Sequence, residues 1–161
     1  LLAGFIYALS LILFVLAALT DWLDGAIARK LDAVTELGAA LDHTADKVLI
    51  TCVLVALAYA ALPLELAAAA VIILGRDVAI AGLREAVGTK AMPVGALGKW
   101  KAAAVMAGIG AFLAHQAGAL LLAPAGAVLG LYWAGRILLW AGAALALLSA
   151  AHYLAAMLRR A

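Results

Sequence analysis

The sequence predicts an all-α protein, a polytopic transmembrane helix bundle of five spans. Three observations lead there. Hydrophobic residues fill 70% of the 161 positions and charged residues 12%, whereas a soluble domain carries roughly 25% charged residues. Residues 1–20 contain no charge at all, a length that fits a helix crossing roughly 30 Å of hydrocarbon. Further apolar runs follow, separated by short stretches rich in Gly, Pro and charge. One domain, residues 1–161, is the expectation at this length, with its core inside a bilayer.

The elements read off in order. The first helix takes in the charge-free run and continues through Asp21–Lys30, turning near Leu31–Thr35. A second starts around Glu36 and reaches about Ala61; Asp42, Asp46 and Lys47 lie in its first half and Val48–Ala61 is uniformly apolar. Pro63 marks a short turn. A third helix covers about 65–86 and carries Arg76, Asp77, Arg84 and Glu85. Gly88, Pro93, Gly95 and Gly98 make 87–98 a loop. A fourth helix covers about 99–122, uncharged after Lys101, and Pro124 and Gly126 break it. The last apolar run reaches Leu158, with Arg136 as its only charge.

Bulk properties exclude several classes. A net charge of +2 is too small to point to nucleic acid. The single cysteine, Cys52, sits in an apolar run and reads as a packed small hydrophobe. No charged segment followed by a small-residue cleavage site marks a signal peptide. No two histidines have ligand spacing, so zinc is not expected. His43 lies one helix step from Asp42 and points elsewhere; His115 and His152 read as packed or interfacial.

Threading five spans alternately puts Arg29, Lys30, Lys47, Arg76, Arg84, Lys90, Lys99, Lys101, Arg159 and Arg160 on one side, leaving only Arg136. The positive-inside rule makes that side cytoplasmic. Arg136, among Tyr132, Trp133 and Trp140, reads as an outer-interface residue in an aromatic belt.

The segment Asp21–Asp46 stands apart. It reads D-W-L-D-G-A-I-A-R, eight residues, then G-A-A-L-D-H-T-A-D. Helical positions three and four apart share a face. Asp21, Asp24, Gly25 and Ala28 therefore form one stripe, and Gly38, Asp42 and Asp46 another on the next helix. Carboxylates beside lipid-embedded helices are costly unless paired, metal-bound or facing a wet cavity. As hard oxygen donors they suit Mg2+ or Mn2+, and two carboxylate pairs on facing helices suit two divalent cations. The small residues leave room for a ligand, and Arg29, one turn after Gly25, reaches an anionic group there. Two metals beside an arginine suggest phosphoryl transfer. Helix capping accounts for one or two such residues, Asp32 and Glu36 among them, but not for four aspartates in register with glycines.

The pattern D-x-x-D-G-x-x-A-R-x8-G-x-x-x-D-x-x-x-D resembles the signature of the CDP-alcohol phosphatidyltransferase family at every position. R-D-V-A-I-A-G-L-R-E at 76–85, G-K-W-K at 98–101 and S-A-A-H-Y-L at 149–154 further resemble its bacterial members that use glycerol 3-phosphate. The resemblance implies an integral protein of the bacterial inner membrane, with its active site at the cytoplasmic face. It implies that Asp21, Asp24, Asp42 and Asp46 surround two divalent cations, with Asp46 also the general base. Gly25, Ala28, Arg29 and Gly38 would line the CDP site. The glycerol 3-phosphate hydroxyl would attack the β-phosphoryl of CDP-diacylglycerol, releasing CMP. The acceptor's own phosphate calls for a second anion site, for which Arg76, Arg84, Lys99 and Lys101 are the candidates. Members normally have six spans, so this chain is expected to lack the first; they are typically homodimers among membrane lipid.

Two other readings compete. A sibling enzyme would use inositol phosphate, serine or another alcohol, which the metal motif does not discriminate. A cation transporter would use the aspartates as a transport site, but Arg29 would repel the ion. A G-x-x-x-G at Gly126 and Gly130 fits close helix contact, a common pattern in glycine-rich spans.

Overall fold

The computed structural model describes residues 2–30, 35–60, 63–87 and 96–158; within these, the side chains of residues 28–29, 36–37, 39–40, 42–43, 84–87, 96 and 156–158 lie outside the description. It is an all-α bundle of α1 (Leu2–Lys30), α2 (Glu36–Ala60), α3 (Leu64–Val87), α4 (Ala96–Leu120) and α5 (Ala125–Leu158). Four helices contain stretches long and apolar enough to cross a membrane: Leu2–Ile27, Leu64–Leu83, Leu97–Leu120 and Ala125–Ala155. Among the described residues, α2 is not one of them, which departs from the count of five. Its first half carries the charges, and the uniformly apolar part that follows is short.

Local chemistry explains the helix ends. Thr35 caps α2: the Gly38 N–H donates to Thr35 Oγ1 at 3.0 Å, satisfying one of the orphan donors of a first turn. The Pro63 carbonyl accepts from Leu66 and Ala67 at 2.9 and 3.1 Å, and Glu65 in the first turn of α3 suits the positive end of that helix. At the end of α4 the Ala123 N–H returns to the Gly118 carbonyl at 2.9 Å, with Leu122 at φ 60°. This is a Schellman-type closure that carries leucine in the left-handed position where glycine is usual. Inside the apolar first helix, hydroxyls are satisfied by their own backbone. Ser10 Oγ donates to the Ile6 carbonyl at 2.9 Å, and Thr20 Oγ1 to the Leu16 and Ala17 carbonyls at 3.0 Å, as low dielectric requires.

The core lies along α4. That helix packs most extensively on α5, then on α1, while α3 packs on α5. Phe112, Leu54, Leu66, Ile73, Ile109, Leu139 and Val105 are its largest fully buried side chains. Glycines set the α4–α5 spacing. A Cβ at Gly135 would lie 2.6 Å from Phe112 Cδ2, one at Gly142 2.6 Å from Val105 Cγ2, and one at Gly108 3.0 Å from Leu139 Cγ. Small residues let membrane helices approach where lipid supplies no hydrophobic drive. The expected contact at Gly126 and Gly130 is absent: a Cβ at either meets nothing within 4 Å among the described residues.

Gly135→Ala is therefore expected to destabilise the bundle. The Phe112 ring cannot swing aside, because its edge packs on His115 and Tyr132, with centroids at 6.3 and 5.9 Å. Overpacking of this kind costs about 1–3 kcal/mol, against a helix-propensity gain of at most about 1 kcal/mol. Gly126→Ala takes the gain alone. Thermal unfolding in detergent should lower the midpoint for the first and leave the second unchanged or raised; equal midpoints would refute the close approach.

At the Pro63 end, Arg136 on α5 donates to Glu65 of α3 at 2.7 Å and to the Tyr132 hydroxyl at 3.3 Å, and lies over the Trp133 ring at 5.3 Å. The expected aromatic setting is present, and Glu65 adds an ion pair that ties α3 to α5. His115 is packed as expected, its Nδ1 donating to the Val128 carbonyl at 2.9 Å. Cys52 is exposed on α2 rather than packed; an apolar exposed face is what lipid contact requires, so hydropathy did not distinguish the two.

Candidate functional site

Two helix ends form the site. The last turns of α1 present Asp21 and Asp24, three positions apart on one face, and the first half of α2 presents Asp46. These three aspartates, with Ala17, Ala18, Thr20, Ala45, Leu49 and Met106, line one cavity of about 300 Å³. Alanines on both walls keep the cavity open, and Met106 of α4 contributes an apolar side chain to its wall. Asp21 and Asp24 are exposed and Asp46 half-buried. Asp24 and Asp46, on different helices, line the same cavity, so the register read on each helix converges in space.

The remaining predicted residues divide. Asp42 lies on α2 one turn before Asp46, and Ala28 and Arg29 lie in the last turns of α1, but their side chains are outside the described residues, as is that of Arg84. Gly25 is half-buried next to Asp24. Gly38 is exposed and does not line this cavity. A Cβ there would come 2.8 Å from Thr35 Oγ1, so its glycine also serves the helix cap.

The donor set fits hard divalent cations. Carboxylates from two helices line one cavity, and carboxylate oxygen is the ligand chemistry Mg2+ and Mn2+ take. Among the described residues no three His, Cys, Asp or Glu side chains lie close enough together to hold an ion; the side chain of Asp42, the fourth member of the quartet, is not among those described.

The candidate anion-site residues differ in their surroundings. Lys99 is exposed. Lys101 is buried, 8% exposed, and its Nζ donates to both Asp77 oxygens at 2.6 Å. Arg76 Nη1 donates to Asp77 Oδ1 at 3.0 Å, and Nη2 donates to Ser149 Oγ on α5. The guanidinium also lies over the Tyr153 ring at 5.7 Å. Arg76 and Lys101 thus meet at Asp77, which ties α3 to α4, while Arg76 reaches α5 through Ser149 and Tyr153. The sequence reading gave Asp77 no part in the site. The burial of Lys101 was missed too, because its place at the start of an apolar run reads equally well as a headgroup anchor.

A second cavity, about 370 Å³, opens between α2 and α3; Lys47, Ile50, Thr51, Leu74, Asp77, Val78, Ala81 and Gly82 line it. Asp46 and Lys47, consecutive on α2, border the two cavities in turn.

The CDP-alcohol phosphatidyltransferase family pattern matches residues 3–148. A Rickettsia bellii protein named CDP-diacylglycerol–glycerol-3-phosphate 3-phosphatidyltransferase is 34% identical over 147 residues, 90% of this chain and 76% of that protein. An Arabidopsis thaliana protein named CDP-diacylglycerol–glycerol-3-phosphate 3-phosphatidyltransferase 2 is 35% identical over 118 residues, 65% of this chain and 51% of that protein. A rice protein named cardiolipin synthase (CMP-forming) is 37% identical over 118 residues, 65% of this chain and 36% of that protein. The chain thus spans about half the length of the first plant relative and about a third of the second.

Proposed function

We propose that this chain, which belongs to the CDP-alcohol phosphatidyltransferase family, transfers a phosphatidyl group from CDP-diacylglycerol to glycerol 3-phosphate, giving phosphatidylglycerol phosphate and CMP. The observation that carries the reading is the cavity shared by Asp21, Asp24 and Asp46. Relatives named for this reaction support the choice of substrates.

In this reading Asp46 accepts the proton of the attacking hydroxyl, a role that needs a carboxylate within hydrogen-bond reach of the acceptor. The hydroxyl oxygen bonds to the β-phosphorus, and the bond from that phosphorus to the CMP oxygen breaks. Arg29 holds the diphosphate by charge-assisted hydrogen bonds, and Gly25, Ala28 and Gly38 leave space for the CDP. Arg76, Lys99, Lys101 and Arg84 serve the acceptor's phosphate. The family is generally dependent on divalent cations; here Asp21, Asp24, Asp42 and Asp46 would hold two, Mg2+ or Mn2+, whose chemistry when bound is neutralisation of phosphoryl charge. The site faces the cytoplasm by the distribution of Lys and Arg, in a bacterial inner membrane. Pairing into a homodimer completes the proposal.

A second reading, a sibling enzyme with another alcohol acceptor, is favoured by the likeness to the rice protein. An acceptor panel separates them. With labelled CDP-diacylglycerol in detergent, glycerol 3-phosphate is expected to release CMP more than about a hundredfold faster than serine, since sites built around a polar group reject analogues lacking it, and faster than inositol phosphate or phosphatidylglycerol, which are bulkier. Faster release with any of the others would reassign the acceptor.

A further inference from the structure

The Arg76–Asp77–Lys101 cluster is unbalanced. Among the described residues two cations share one carboxylate, and the side chains are only 11% exposed for Arg76 and Lys101 and 15% for Asp77. A lock serving packing alone would be neutral, because surplus buried charge is disfavoured. Arg76 Nε is buried and has no hydrogen-bond partner among the described residues, although buried donors are nearly always paired. The surplus charge and the orphaned donor lie at one place, and Asp77 also borders the cavity between α2 and α3. At about 370 Å³ that cavity is within the size range of small-molecule sites, roughly 300–1,000 Å³.

We propose that Asp77 is a positioning residue for the phosphate of the acceptor: its carboxylate gathers Arg76 and Lys101 into a charged pair with one positive charge in excess, beside the cavity, and that excess selects a phosphate-bearing acceptor. This rests on the proposed reaction and adds a residue to it. Asp77 accepts from Arg76 and from Lys101, fixing two long, flexible cations from different helices before substrate arrives. Preorganisation of this kind is what makes charge-assisted contacts effective. Ser149 plays the same part on the other arm of Arg76. Without the carboxylate the two cations repel each other and Lys101 loses the only partner it has among the described residues.

Steady-state kinetics in detergent test it, with glycerol 3-phosphate and CDP-diacylglycerol varied in turn. Asp77→Asn should raise KM for glycerol 3-phosphate about tenfold, the loss of roughly one charged contact, and leave KM for the CDP-lipid within twofold. Adding Lys101→Ala to it should cost less than a further twofold, because coupled residues are not additive. Ser149→Ala, which changes no charge and threatens the fold least, should raise the acceptor KM about threefold by loosening one arm of Arg76. Equal increases in both KM values, losses confined to kcat, or additive effects of Asp77→Asn and Lys101→Ala would overturn the assignment and leave a structural ion cluster. If Asp77→Asn does not survive extraction, an unchanged acceptor KM in Ser149→Ala overturns it. A wild-type protein that releases no CMP with glycerol 3-phosphate overturns the proposed reaction itself, and this inference with it.

Discussion

Asp46→Asn is expected to reduce CMP release by about a thousandfold or more while the protein still folds. Asparagine has nearly the same shape, but it neither accepts a proton at neutral pH nor supplies a full negative charge. General-base catalysis alone contributes about 10²–10⁴-fold. Loss of a carboxylate from the proposed cation site adds to that. Asp46 borders the cavity and is half-buried, away from the fully buried side chains along α4, so melting in detergent should change little. Release assays with saturating substrates, beside a thermal melt, check both halves. Turnover within tenfold of wild type would remove Asp46 from the chemistry.

Removal of divalent cations should have an equally large effect. Excess chelator is expected to stop turnover completely, and added Mg2+ or Mn2+ to restore it, because Asp21, Asp24 and Asp46 concentrate negative charge where two substrate phosphates must bind. Anionic carboxylates and an anionic diphosphate repel one another in a low-dielectric cleft. Without cations the same cavity that suits the reaction opposes it. Activity that persists in excess chelator would contradict the carboxylate assignment, whatever the acceptor.

The helices were legible from residues alone. The first apolar run, Pro63 and Pro124 placed boundaries within a few residues of those of α1 to α5. The aspartate register was legible as well, since Asp21 and Asp24 needed only helical geometry to share a face. That Asp21, Asp24 and Asp46 line one cavity depends on how α1 and α2 pack, which neither helix shows alone. Other features were not legible. Gly126 and Gly130 carry the familiar spacing, yet the close contacts fall at Gly108, Gly135 and Gly142, which follow no comparable pattern. Lys101 reads as a candidate anion-site residue, but its partner Asp77, 24 positions away in sequence, is not legible from it. Glu65 and Arg136 are separated by most of α3, all of α4 and part of α5, and nothing local pairs them.

The sequence by itself determined how many helices form, roughly where each begins and which carboxylates share a side of one helix. Those properties depend on charge-free length, proline and the 3.6-residue turn, all local. Only the tertiary structure decided which faces meet, which glycines bring α4 and α5 together, and which cations Asp77 holds. In water a buried face is marked by its contrast with a polar one. Beside lipid, side chains packed in the core and side chains facing the bilayer are equally apolar. Hydropathy therefore located the spans but could not orient them, and that decision passed to packing and to a few buried ion pairs.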